Sequence, residues 1–271
     1  MNILLSTKSI KLIIEKLRLA LLFVLLLSIS TSSFGWGRTG HHTIVDIAQN
    51  YVSKSTLDSI SKYLTNESWH TSSTWMDELR GNKQFDYMRK WHYVNVDKDK
   101  AFSPSIENGD NVVTQLDSAI FNLRNRRNLT PEQVTLNLKV LFHLMGDLHN
   151  PLHAGYGFDR GGNDVRVVFK GKSFNLHRIW DTEIIETNQY FEENISTKVK
   201  NTKRRKLKRI AKGNATTWFI DTRSALPTVY ALSSDTITTE YLEQGHPVAE
   251  NLIFRAGVRL GYTLNDIFRK Y

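Results

Sequence analysis

The chain contains no cysteine. That excludes disulfides and thiolate metal sites, so any bound metal must be held by His, Asp, Glu or a chain terminus. Proline is scarce, 5 in 271 residues, and the sequence shows neither an internal repeat nor a long linker, which makes one large domain the economical reading. Long hydrophobic runs are also missing: the most apolar stretch, Leu19 to Leu27, is short for a membrane span, which needs ~20 residues.

That stretch fits a different purpose. A basic segment from Lys8 to Arg18 precedes it, and small and polar residues follow, ending Ser33-Phe34-Gly35. This is the order of a secretory signal, with cleavage expected between Gly35 and Trp36. The expected domains are then a signal peptide over 1–35 and a functional domain over 36–271, secreted or periplasmic, with no membrane anchor after cleavage. An uncleaved anchor is the alternative. The mature chain would begin Trp36-Gly37-Arg38-Thr39-Gly40-His41.

The formal charge is +9; residues 1–35 contribute four cations and one acid, leaving +6 on the remainder. A modest positive balance suits a polyanionic substrate without singling one out. The run Lys198 to Arg209 is strongly basic. It reads first as a solvated helix face and second as a strip that attracts nucleic-acid backbone.

Helical periodicity dominates. Ile44, Ile47, Ala48 and Tyr51 share one face, and Leu57, Ile60 and Leu64 share another. The clearest helix starts at Thr130-Pro131-Glu132-Gln133, where Thr130 caps, Pro131 suits the first turn and Gln133 completes a capping box. Val134, Leu138, Leu141, Phe142, Met145 and Leu148 continue it, and Asn150-Pro151 should stop it. Val165 to Phe169 is a strand pattern, Gly171 offers a turn, and Ser173 to Leu176 is a candidate return arm. His92 to Val96 is a short extended candidate, and Asp97 to Asp110 is the best loop. Val248, Leu252, Ala256, Leu260 and Leu264 fit a long final helix. The expected fold is mainly α, a single helical domain with a small β-hairpin.

The chemistry lies in the company that the histidines keep. His143 and Asp147 stand four residues apart in the best-defined helix, so they project from one face with Cβ atoms ~5–6 Å apart. His153 follows the helix end. His177 and Asp181 repeat the spacing, while His41, Asp77 and His92 lie upstream. Imidazole and carboxylate are the ligands zinc accepts when thiolate is absent. A carboxylate flanked by Leu144, Met145 and Leu148 is costly unless compensated. A metal would compensate it, and so would a buried His–Asp hydrogen bond. Metal clusters of this ligand type suit phosphate esters, because they polarise phosphoryl oxygens and supply hydroxide near neutral pH.

The assembled motifs are Trp36-Gly37-x-x-Gly40-His41, Trp75-Met76-Asp77-Glu78-Leu79-Arg80, His92-Tyr93-Val94-Asn95, His143-Leu144-Met145-Gly146-Asp147-Leu148-His149-Asn150-Pro151-Leu152-His153, Gly161-Gly162-Asn163 and Asn175-Leu176-His177-Arg178-Ile179-Trp180-Asp181. They span nearly the whole mature chain. In order and spacing they resemble the zinc-dependent, single-strand-preferring nucleases of the S-one, P-one and mung bean type. That family shares its fold with bacterial zinc phospholipase C.

The resemblance implies a helical domain with three zinc ions. Asp77, His92, His143 and Asp147 would hold the first. His153, His177 and Asp181 would hold the second. The amino nitrogen and carbonyl oxygen of Trp36 would hold the third, with His41 and a bridging Asp147. Arg80 would steady a ligand carboxylate or the phosphate, and Asn163 would contact the scissile phosphate. Asp77, Asp147, Arg80 and Asn163 thus form the expected catalytic set, and Tyr93, Asn95 and Asn163 the expected substrate contacts. Tyr93 either stacks a base or packs on the cleft wall. Asn95 stands where members often carry an Asp that reads the base edge. The implied activity is hydrolysis of single-stranded DNA and RNA to 5′-phosphate products by a monomer, with 3′-nucleotidase activity as a further option. Phospholipase C is the alternative, although relatives of that kind tend to end the second zinc site in Glu where this chain has Asp181. A non-enzymatic zinc-binding protein is a third reading, and the presence of Arg80 and Asn163 argues against it. His42, His70 and His246 fall outside the pattern, and His149 reads as a supporting or structural residue.

Overall fold

A computed structural model describes residues 36–102 and 109–269; the expected signal segment lies outside the described residues, as do 103–108 of the expected loop. Most of the described chain is helical, and its one sheet has two strands.

Helix α1 (Arg38–Gln49) buries Ile44, Val45, Ile47 and Ala48. Helix α2 (Lys54–Ser61) is capped by Ser53, whose hydroxyl accepts from Thr56 N–H at 3.2 Å. Its buried edge differs from the expected one. Leu57 is 40% exposed, while Thr56, Ile60 and Leu64 are buried. Those three form a single i, i+4 row, and Leu57 lies a fraction of a turn outside it. A short surface helix buries only one such row.

Helix α3 (Trp69–Glu78) starts at the cap Ser68. A 3-10 segment over Lys83–His92 follows. Helix α4 (Val112–Arg124) opens with a capping box between Asn111 and Thr114. Helix α5 (Pro131–Leu148) starts as the sequence predicts: Thr130 N–H donates to Gln133 Oε1 at 2.9 Å, and Gln133 N–H donates to Thr130 Oγ1 at 3.3 Å. Its last turns are buried on every side from Val140 to Leu148, because α1, α3, α4 and the final helix all pack around it.

Strands β1 (Arg166–Phe169) and β2 (Lys172–Asn175) pair antiparallel with Phe169 opposite Lys172. The two linking residues, Lys170 and Gly171, both have positive φ, 48° and 72°. That is the tight turn whose twist matches a hairpin. His92 to Val96 does not join this sheet. His92 instead ends the 3-10 segment, and only Tyr93 to Val96 runs extended, along the segment after α5, with Val94 N–H donating to His153 O at 2.9 Å and Val96 N–H to Gly155 O at 3.0 Å.

Helices α6 (Phe191–Asn201), α7 (Arg204–Ala211) and α8 (Ala215–Arg223) lead to the long final helix α9 (Thr239–Ile267). Helices α1 and α9 pack backbone to backbone. A Cβ at Gly257 would stand 2.5 Å from Ile47 Cβ, and one at Gly261 would stand 2.8 Å from Ala48 O. Two glycines one turn apart thus set the helix separation. No helix among the described residues is long and apolar enough to cross a membrane.

Candidate metal centre

The C-terminal half of α5 carries His143 and Asp147 into the interior, and neither side chain is exposed. Asp147 Oδ2 lies 2.8 Å from His92 Nδ1 and 3.1 Å from His143 Nε2. Asp77 Oδ1 lies 3.9 Å from each of those two nitrogens. Asp147 Oδ1 faces the other way, 3.4 Å from His41 Nε2 and 3.7 Å from His153 Nδ1. Beyond His153, His177 Nε2 lies 3.5 Å from Asp181 Oδ2. Three groups emerge in which ligand atoms lie within 4.8 Å of one another: His41, His143 and Asp147; Asp77, His92 and His143; His153, His177 and Asp181. All eight side chains named as ligands in the sequence therefore converge.

These residues fit metal ions. Ligand atoms at the corners of a zinc tetrahedron stand ~3.4 Å apart for bonds of ~2.0–2.2 Å, and most of the separations above bracket that value. Buried Asp147 Oδ1, both ring nitrogens of His41, and His177 Nε2 make no hydrogen bond. Unpaired buried polar atoms are costly, and three of these, Asp147 Oδ1, His41 Nε2 and His177 Nε2, belong to the groups whose ligand atoms converge, as a cation site requires.

The rings are oriented from behind. His143 Nδ1 lies 2.8 Å from Ser73 O, His153 Nδ1 lies 2.7 Å from His92 O, and His177 Nδ1 lies 2.5 Å from Gly161 O. Each Nδ1 donates to a backbone carbonyl and leaves Nε2 as the lone-pair donor, the arrangement that fixes a metal-binding tautomer. The rings of His41 and His143 stack at 4.5 Å. Arg80 Nη2 pairs with Asp77 Oδ1 at 2.8 Å. Asn163 Nδ2 sits 3.2 Å from His177 Nδ1 and donates to Arg160 O at 2.9 Å. Asn95 Oδ1 is buried without a partner, and Tyr93 is 43% exposed.

Charge in the metal-free protein is shared unevenly. Burial pulls the His143 pKa down, but the Asp147 and Asp77 carboxylates outweigh it and push it up to about 9. Burial opposes ionisation of Asp147 too, yet His143 and His153 hold it well below the usual carboxylate range. Burial lowers His153 to about 4, and burial together with His153 lowers His177 to about 3. The His153 and His177 lone pairs are therefore free at neutral pH.

The amino-terminal segment docks on the same centre. Trp36 is fully buried, and Gly37 N–H donates to the carbonyl of Asp181 at 2.6 Å. Asp181 itself sits in a one-turn π-helix over Ile179–Glu183, a distortion that re-aims side chains and is frequent at functional sites.

Three supporting residues escaped the sequence reading. Asn150 Nδ2 donates to Asp181 Oδ1 at 2.9 Å. Gly146 lets His41 approach α5, since a Cβ there would stand 2.6 Å from His41 Nδ1. Arg223 donates to the carbonyls of Ala154, Gly155 and Val96 and ties the two ligand-bearing segments together. Only Asn150 left a trace in the sequence, as the residue expected to end α5. His149 is structural: Nδ1 donates to Met145 O at 2.7 Å, and Nε2 accepts from Arg259 Nη1 at 2.7 Å. His42 and His70 stack on each other at 4.2 Å, outside the cluster.

Fold and site together define a helical protein that gathers histidines and aspartates into buried groups able to hold metal ions. The chain belongs to the S1/P1 nuclease family, whose model matches residues 36–269. It is 29% identical to Endonuclease 3 of Arabidopsis thaliana, over 86% of this chain and 89% of that protein. It is 27% identical to Nuclease S1 of Aspergillus oryzae, over 89% of this chain and 94% of that protein. With Nuclease P1 of Penicillium citrinum the identity is 28%, over 54% of this chain and 57% of that protein. As a family member the protein is a hydrolytic nuclease.

Proposed function

We propose that the protein is a secreted or periplasmic zinc-dependent phosphodiesterase that hydrolyses single-stranded DNA and RNA and leaves 5′-phosphate ends. The observation that carries this reading is the convergence of three His/Asp groups around Asp147 in a chain of a nuclease family. Imidazole with carboxylate, and no thiolate, favours zinc. Three ions accord with the three groups and with the two Asp147 oxygens facing different neighbours.

Asp77, His92, His143 and Asp147 would hold one ion, and His153, His177 and Asp181 a second. His41, Asp147 and the amino nitrogen and carbonyl oxygen of Trp36 would hold a third. The last set requires a chain that begins at Trp36, since a free α-amine with a pKa near ~8 ligates metal readily and a peptide nitrogen does not. Signal removal thus becomes a step in building the site. The burial of Trp36, the bond from Gly37 to Asp181 and the start of the family match at residue 36 support this.

Bound ions supply hydroxide near neutral pH and positive charge for the phosphoryl and departing oxygens. The remaining tasks fall to the chain itself. Arg80, paired with Asp77 at 2.8 Å, would steady that ligand carboxylate or the phosphate. Asn163, beside His177, offers its carboxamide to the scissile phosphate. The Tyr93 ring provides a face on which a base stacks. Asn95, partly buried next to Tyr93, would offer its carboxamide to a base edge. A base that must enter such a pocket has to leave its duplex stack, which favours single strands.

The test incubates protein beginning at Trp36 with single-stranded DNA, first with zinc and then with chelator. Zinc-dependent release of 5′-mononucleotides is expected. No release from a zinc-loaded protein would overturn the nucleic-acid substrate and favour a phospholipid head-group ester, checked with a choline phospholipid.

A further inference from the structure

From Trp36 onward the excess positive charge is concentrated in one segment. Between Glu193 and Asp221 the sequence holds nine lysines and arginines and no acidic residue. The rest of the chain from Trp36 onward, which carries +6 in all, is therefore net −3. Helix α7 lies at the centre of this segment. Arg204, Arg205, Lys206, Lys208 and Arg209 are all exposed, and none of them makes an ion pair among the described residues.

A solvated helix face of ordinary kind does not look like this. Arg204 with Lys208, and Arg205 with Arg209, are like charges at i, i+4, which destabilise a helix. Three cations occupy the first turn, against the macrodipole. The helix forms because its other side is anchored: Leu207 is buried, Ile210 packs on the core, and Ile210 O accepts from Arg259 Nε at 3.1 Å. Arg259 also holds His149 at the end of α5, so one side chain links α7 to the helix that carries His143 and Asp147 through a histidine outside the ligand groups. The helix thus concentrates charge where local energetics resist it.

We infer that the exposed face of α7 is a docking strip for the phosphate backbone of a single-stranded nucleic acid, separate from the cleavage site and serving to hold long strands. This rests on the nuclease reading. An anionic membrane is the less suitable partner. A helix that lies on a bilayer inserts a free apolar face, whereas the apolar residues of α7 are turned onto the protein. Its face offers charge alone, which suits phosphates in water.

The test combines Arg204→Gln, Arg205→Gln, Lys208→Gln and Arg209→Gln in the zinc-loaded protein. Glutamine keeps helix propensity and removes mutual repulsion, so thermal unfolding is expected at or above the parent temperature. Four lost phosphate contacts reduce the salt slope of log K by about 3, worth about 50-fold in affinity between about 50 and 200 mM salt. The expected result is a raised KM and a flattened salt dependence on a long single strand, with kcat unchanged and a dinucleotide cleaved as before. Anisotropy with a hydrolysis-resistant phosphorothioate strand should show the same loss of binding. Unchanged strand affinity and salt slope would overturn the inference, as would four-residue-dependent binding to phosphatidylglycerol vesicles without binding to the strand. If the parent protein cleaves neither substrate, the nuclease reading fails by itself, and the anisotropy arm still decides the strip.

Discussion

Replacing Gly146 with alanine should remove a metal ligand without unfolding the protein. The added methyl would stand 2.6 Å from His41 Nδ1 and 2.7 Å from His41 Cε1, and ordinary contact lies ~1 Å farther out. The His41 ring is buried and stacked on His143, so it can withdraw only by moving away from α5. That lengthens the 3.4 Å separation between His41 Nε2 and Asp147 Oδ1, which already matches the edge of a zinc tetrahedron. Metal sites tolerate errors of roughly 0.2 Å in ligand distance. On stability, two effects oppose. Alanine favours the helix by ~1 kcal/mol over glycine, while overpacking costs ~1–3 kcal/mol. The net ranges from no change to a loss of ~2 kcal/mol, within reach of a folded protein. Metal content after dialysis should fall by one ion per chain, while urea unfolding in chelator shifts only slightly. A variant that retains the full metal complement at parental affinity would refute the close-approach argument.

Placing one extra glycine before Trp36 should abolish binding of one ion and strongly depress turnover; parental metal content and rate would sink the terminal-amine assignment. Asn150→Ala removes the donor to Asp181 and should weaken metal affinity ~10–100-fold, read by competition with a chromophoric chelator; parental affinity would show that Asp181 needs no such support. Stripping metal should lower the thermal midpoint, since an ion present at ~1,000 times its Kd stabilises by ~4 kcal/mol; calorimetry with and without chelator measures the difference. Metal uptake should release protons at neutral pH. His143 in the metal-free protein stays protonated up to about 9, so apparent affinity should rise with pH across the neutral range and level off above that value, as titration calorimetry in two buffers would reveal.

Much of the site was legible because its residues sit on local patterns. The Thr130 box and the apolar period fixed α5, and the four-residue spacing of His143 and Asp147 placed both on one face of it. The Lys170-Gly171 turn made the hairpin readable. What escaped depends on distant partners. Nothing near Leu57 in the sequence says that the buried row runs through Thr56. The π-helix around Asp181 and the 3-10 path to His92 break the regular period that sequence reading relies on. Gly146 reads as a mid-helix glycine until His41 is seen lying against it, and Arg223 shows its role only when three carbonyls from two separate loops meet its guanidinium.

The bond between Gly37 and Asp181 joins the beginning of the domain to a turn beyond its midpoint, and the ligands between them come from α1, α3, the approach to His92, α5 and the segments after it. Contacts of such long sequence separation form slowly, because each long loop must close before its contacts reward it. No fragment shorter than residues 36–181 carries all three proposed ligand sets. Nascent or nicked forms of the chain should therefore be catalytically silent, and the onset of activity during refolding should lag behind the helical signal, making the enzyme a reporter of its own completed topology.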